Sequence, residues 1–124
     1  MAKKIVLFFL CWFWVFEPAA VMAGSVVLAS WYGSPVLEGN LMANGEPFKS
    51  HDKTIAAHRT LPFGTKLRVK NPVNGRELVV TVKDRGPKVR SRRLDLSLAA
   101  ARELGYTRKG VIKLAVLSVH RPVN

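Results

Sequence analysis

Thr65-Lys66-Leu67-Arg68-Val69-Lys70-Asn71-Pro72-Val73-Asn74-Gly75-Arg76-Glu77-Leu78-Val79-Val80-Thr81-Val82-Lys83 contains two runs of period two separated by a turn. Leu67 and Val69 share one face of the first run, and Leu78, Val80 and Val82 share one face of the second. Successive side chains of a strand point to opposite sides, so an apolar residue at every second position marks a strand with one buried face. Asn74-Gly75 readily takes the positive φ of a tight hairpin turn. The segment therefore predicts a β-hairpin. Upstream of it, Val26 to Trp31 reads as an apolar opening strand and Thr54 to His58 as a short segment of β-branched residues and alanine. Between these, Gly33, Pro35, Gly39, Asn40, Asn44, Gly45 and Pro47 punctuate a turn-rich stretch. Downstream, Ser97 to Leu104 predicts the one good helix. Ser97 or Asp95 caps it, Leu98, Ala101 and Leu104 form its inward stripe, and Gly105 ends it. Val111 to Val119 closes the chain as an apolar strand. Many short strands with one helix predict a small, mostly β barrel.

The N-terminus has a different character. Lys3-Lys4 precedes the apolar run Ile5 to Phe16, and small residues lead to Ala23. This is the pattern of a secretory signal peptide over residues 1–23, cleaved after Ala23. A membrane anchor is the rival reading, but the run is about twelve residues long where a spanning helix needs roughly 20. Glu17-Pro18 closes it. No stable membrane span is expected once the leader is removed. Cys11 follows Phe8-Phe9-Leu10, where a lipid-attachment site would have small residues. Residues 24–124 then form a single domain without cysteine, which must be held by packing and strand pairing.

The chain carries 20 Lys and Arg against 8 Asp and Glu, a net charge of +12, so an anionic partner is expected. Export argues against nucleic acid, as does the absence of an unbroken Lys/Arg run or an aromatic stacking set. A cell-wall polymer bearing carboxylates, or an anionic membrane face, suits the compartment better. A merely soluble basic surface is the bland alternative.

With so few acidic residues, those in turn-flanked segments stand out. Glu46 follows Asn44-Gly45 in a turn and is expected to be exposed, either as a functional loop residue or as a solvated turn glutamate. Asp84 ends a strand and precedes Arg85-Gly86-Pro87, which places it at a barrel rim as a functional carboxylate or as a turn cap. Asp95 lies between Leu94 and Leu96. It is either a desolvated general acid or a helix-entry residue bonding backbone N–H groups. His58 is positioned to orient a carboxylate or a sugar hydroxyl, or is a satisfied structural histidine. His51 and His120 are isolated, so no metal site and no cofactor are expected. Trp31 and Tyr32 follow the first strand, where aromatic faces can stack on sugar rings. For Trp31 a core position is the alternative.

Ala29-Ser30-Trp31-Tyr32-Gly33, Ala43-Asn44-Gly45-Glu46, Ala56-Ala57-His58-Arg59-Thr60-Leu61-Pro62, Asp84-Arg85-Gly86-Pro87 and Asp95-Leu96-Ser97, in this order, resemble the rare lipoprotein A (RlpA) family of bacterial cell-wall proteins. The resemblance implies a mainly β fold, a six-stranded double-psi β-barrel with one or two short helices, similar to the barrels of expansins and some cellulases. It implies an exported lytic transglycosylase of the periplasm or cell envelope, with a non-catalytic, expansin-like glycan-binding or wall-loosening module as the alternative; a monomer is expected. Such an enzyme cuts the MurNAc–GlcNAc bond of peptidoglycan glycan strands and leaves a 1,6-anhydro end. Carried over by position, the functional residues fall on Glu46, His58 and Asp84. The expansin and cellulase barrels point to Asp95 as well. Trp31, Tyr32 and Arg85 are the expected substrate contacts. The family has threonine where this chain has Met42, so a hydroxyl is lost near the site.

Overall fold

The computed structural model describes residues 21–33 and 37–123. The expected leader lies outside the described residues, apart from its last three positions. Six strands form the barrel: β1 (Val26–Tyr32), β2 (Ile55–Ala57), β3 (Lys66–Lys70), β4 (Glu77–Asp84), β5 (Leu94–Ser97) and β6 (Val111–His120). One helix, α1 (Leu98–Leu104), follows β5. The strands close in the order β1-β5-β2-β4-β3-β6. The pairs β1–β5 and β2–β4 are parallel, and the other four neighbouring pairs are antiparallel. Closure leaves no free sheet edge, which suits a chain whose domain has no disulfide to hold it.

The hairpin is where the sequence places it. β3 and β4 pair in antiparallel register, with Leu67 opposite Val80 and Val69 opposite Leu78. Asn71 and Arg76 close the turn through Asn71 N–H to the Arg76 carbonyl (2.9 Å), and Gly75 takes φ 78°. Leu67, Val69, Val80 and Val82 point inward and are fully buried, together with Ala29, Leu94, Leu96, Leu114 and Val116 from the other strands. Val21, upstream of the first strand, packs on the same core. A second, smaller cluster of Met42, Phe48 and Ile55 lies under Tyr32 and Leu37. The methyl thioether of Met42 thus serves as filling for this cluster.

The helix differs in detail from its expected form. Ser97, not Asp95, is the N-cap: its Oγ accepts from Ala100 N–H at 3.1 Å and donates to the Asp52 carbonyl at 2.6 Å. Asp95 lies two residues upstream, inside β5. The buried stripe is Ala100, Ala101 and Leu104, with Leu98 only half-buried. Leu98 is the first residue after β5, and Ala100 and Ala101 of the same turn make the contact with the main core. Gly105 ends the helix at φ 78°. The hairpin turn supports this end, since Asn71 and Asn74 both donate to the Leu104 carbonyl (2.8 and 3.0 Å).

Candidate active site

One row across the barrel brings Asp84 and Asp95 together. Ser30 of β1 pairs with Asp95 of β5, Asp95 with Ala57 of β2, and Ala57 with Asp84 of β4. The last pairing depends on a register shift: Ala56 faces Val82, whereas Ala57 faces Asp84, so Lys83 is the extra residue of a bulge. Bulges re-aim side chains, and this one brings Asp84 level with Asp95. With neighbouring strands about 4.8 Å apart, the two backbones stand roughly 10 Å from each other.

Each carboxylate has its own environment. Asp84 accepts three hydrogen bonds: the Tyr32 hydroxyl on Oδ2 (3.0 Å), and Ala43 N–H and Arg85 N–H on Oδ1 (2.9 Å each). Three donors fix the orientation of this group. Among the described residues, Asp95 accepts a single side-chain bond, from Ser30 Oγ at 3.1 Å. Burial raises its pKa to about 6, and the Asp84 charge adds to the rise against the opposing pull of the Ser30 bond and Arg92. A carboxyl of this kind holds its proton up to about pH 6, above the ordinary aspartate range, and can deliver it.

Tyr32 connects the site to the smaller core, because its ring stacks on Phe48 with centroids 4.7 Å apart while its hydroxyl holds Asp84. Burial, then the Asp84 charge and hydrogen bond, push its phenol well above the ordinary value, so it acts as a donor. His58 is buried, and its Nδ1 accepts from Thr60 and Leu61 N–H (3.1 and 3.0 Å), which places the ring proton on Nε2. Burial and the neighbouring arginines lower its pKa to about 4, so the ring is neutral. The His58 backbone N–H donates to the Asp84 carbonyl at 3.2 Å. The Arg85 guanidinium donates from Nη1 to the carbonyls of His58 (3.1 Å) and Leu61 (2.8 Å) and lies 3.9 Å over the Phe63 ring. The 58–63 loop is thereby fastened to the strand end that carries Asp84.

Glu46 stands exposed at the edge of this site. The 43–46 turn docks on the end of β4 through Asn44 N–H to the Lys83 carbonyl, and Lys83 Nζ reaches Glu46 Oε1 at 3.4 Å. Trp31 packs against the main core, and its indole N–H donates to the Thr107 carbonyl at 3.3 Å. Two residues that sequence reasoning passed over belong here. Ser30 is 5% exposed and bonds Asp95, and the Tyr106 hydroxyl donates to the Ser30 carbonyl at 3.0 Å. A serine within an apolar strand was the available signal for the first. Nothing local marks Tyr106, which is 76 residues away.

The barrel and this row can be set beside known proteins. A family model described as lytic transglycolase, of the double-psi β-barrel type, matches residues 24–116. The chain belongs to the lytic transglycolase family. Curated relatives agree. A probable endolytic peptidoglycan transglycosylase RlpA of Aquifex aeolicus is 57% identical over 84 residues, 68% of this chain and 36% of the relative. The endolytic peptidoglycan transglycosylase RlpA of Pseudomonas aeruginosa is 46% identical over 71% of this chain and 25% of its own length. That of Campylobacter jejuni is 40% identical over 82% of this chain and 38% of its own length. The chain thus spans between a quarter and two fifths of these relatives. Among solved structures, the apo expansin of Clavibacter michiganensis aligns with a TM-score of 0.60 at 27% identity, over 81% of this chain and 52% of the expansin. A Streptomyces papain inhibitor aligns at TM-score 0.58 and 23% identity over 77% of this chain and 96% of its own, which speaks to the barrel alone. This lytic transglycolase domain is accordingly mainly β, a six-stranded double-psi barrel with one helix among its described residues.

Proposed function

We propose that the chain is an endolytic peptidoglycan lytic transglycosylase that acts on glycan strands outside the cytoplasm, exported by way of residues 1–23. The observation that carries the reading is the pair of carboxylates on one strand row. One is half-buried and raised to about 6; the other is held by three donors. In this mechanism Asp95 gives its proton to the leaving GlcNAc O4 as the bond from MurNAc C1 to that oxygen breaks. The 6-hydroxyl of the same MurNAc bonds to C1 and closes the 1,6-anhydro ring, and its proton passes to Asp84. Solvent exchange then restores both groups. The attacking hydroxyl belongs to the substrate, so proximity favours it over water, with effective molarities of roughly 10⁵ M or more. Glu46 meets the glycan at the rim. Tyr32 and the loop of His58, clamped by Arg85, keep Asp84 in place. The names of the RlpA relatives support the substrate and reaction. Among the described residues no helix is long and apolar enough to cross a membrane.

The expansin likeness favours one second reading, a glycan-binding or wall-loosening module without catalysis. Mass spectrometry of glycan strands incubated with the purified protein separates the two. Products one water lighter than hydrolysis fragments, lost in Asp95→Asn, establish the transglycosylase. Intact strands that co-sediment with the protein establish the binding module.

A further inference from the structure

The β4–β5 connection, residues 85–93, joins the two carboxylate-bearing strands directly: Asp84 is the last residue of β4 and Asp95 the second of β5. It contains Arg85, Lys88, Arg90, Arg92 and Arg93 and no acidic residue. Lys88 and Arg90 are exposed, and Arg92 and Arg93 are half-buried. The loop is built rather than loose. Arg92 N–H donates to the Val89 carbonyl (3.1 Å), Arg93 N–H to the Leu28 carbonyl (2.9 Å), and the Arg59 guanidinium bonds the Val89 carbonyl. Arg59 and Arg93 both act on the His58 ring, and Arg92 on Asp95, so these cations border the site. Among the described residues the only ion pairs are Arg68–Glu77 and Lys83–Glu46, and neither involves this loop. Like charges crowded on nine residues repel one another, and a loop held by its backbone, whose cations form no ion pair among the described residues, is suited to an anion brought from outside.

We infer that Lys88, Arg90 and Arg92, with Arg59 at their base, form a carboxylate-reading subsite beside the scissile position, which selects glycans that carry acidic groups over neutral β-1,4 glycans. The inference rests on the proposed glycan reading and deepens it by naming what the site discriminates. Two sources supply this chemistry on a peptidoglycan strand: the lactyl carboxylate of each bare muramyl residue, and the carboxylates of attached stem peptides. A neutral chitin strand offers neither.

The experiment compares three probes: bare glycan strands, peptide-bearing strands and chitin oligosaccharides. Binding is measured in an Asp95→Asn background so that strands remain intact. Exposed charge pairs are individually weak, so three together are expected to account for roughly a tenfold change in affinity. Lys88→Gln/Arg90→Gln/Arg92→Gln should weaken binding to carboxylated strands by about that factor and leave chitin oligosaccharides within about twofold. A control triple at exposed lysines elsewhere on the barrel, Lys66→Gln/Lys109→Gln/Lys113→Gln, should leave all three probes within about twofold. Loss already complete on bare strands assigns the lactyl carboxylate, and loss confined to peptide-bearing strands assigns the stem peptide; both support the subsite. Equal loss on chitin oligosaccharides, or equal loss from the control triple, overturns it in favour of bulk charge. Anhydro products from the wild-type chain with unchanged affinity in the loop triple overturn the subsite alone. Absence of any glycan binding by the parent chain overturns the glycan reading with it.

Discussion

Burial acts in opposite directions on Asp95 and His58, and each leaves a signature in pH. The Asp95 carboxyl is raised from 3.8 to about 6, so the folded state favours its protonated form. Its contribution to stability is therefore greatest at low pH and declines as pH rises between those values. The His58 ring is lowered from 6.5 to about 4, so its contribution is full above 6.5 and lost as pH falls toward 4. Asp95→Asn is expected to stabilise the chain by roughly 2 kcal/mol at pH 7, with the gain shrinking toward zero near pH 4. Urea unfolding at both pH values checks this, and a gain independent of pH would contradict burial as its cause. The same variant should lose at least about a hundredfold in glycan cleavage, since it has no proton to give. Wild-type cleavage should decline as pH rises through about 6. Tyr32→Phe keeps the ring stack on Phe48 but removes one of the three bonds to Asp84. Its expected effect is a fall of roughly tenfold in turnover with little change in melting temperature. A melting loss in proportion to the activity loss would make Tyr32 merely structural.

At the scale of elements, the site depends on how α1 is held between its two ends. Ser97 caps the start while bonding the Asp52 carbonyl, and the hairpin asparagines hold the end through the Leu104 carbonyl. Gly105 is the critical joint. Its φ is 78°, and a Cβ there would lie 2.7 Å from Asn74 Nδ2. Gly105→Ala should therefore cost about 1 kcal/mol for the backbone conformation, and more for displacing the asparagine. Thermal melting would show a loss larger than that of an alanine replacement at Gly75, which also has φ 78° but has open space around its Cβ position. Equal losses at the two glycines would remove the contact with Asn74 from the account.

For the whole molecule, the barrel closes β1 against β6, and the segment before β1 contributes to that closure. Gly24 N–H donates to the Val116 carbonyl at 2.7 Å, and Val21 is 2% exposed against the core. A chain that begins at Gly24, as cleavage after Ala23 would leave it, lacks this valine. Burying a valine side chain is worth about 1.5 kcal/mol. A chain starting at Val21 should therefore melt higher by about 7 °C for a domain of this size. Identical melting of the two would mean that Val21 adds no stability to the core.

Some of this was decided locally and is legible in the chain. The β3–β4 hairpin follows from period-two apolar residues and Asn74-Gly75, and α1 from Ser97, its apolar spacing and Gly105, because neighbours in sequence are enough to set a turn, a cap or a buried face. The motifs around Glu46, His58, Asp84 and Asp95 carried the family resemblance. The tertiary structure alone decided what joins them. That Asp84 and Asp95 lie on one row depends on the barrel placing β2 between β4 and β5 and on the bulge at Lys83. That one carboxyl is raised while the other accepts three donors depends on burial and on partners 41 and 52 residues distant. Asp95 read from its neighbours fits either a helix-entry residue or a desolvated acid, because both uses place a carboxylate beside apolar residues; the structure puts it inside β5 on Ser30 and leaves the cap to Ser97. Local sequence fixes backbone geometry over a few residues, whereas desolvation and charge coupling act through space and exist only once distant strands have been brought side by side.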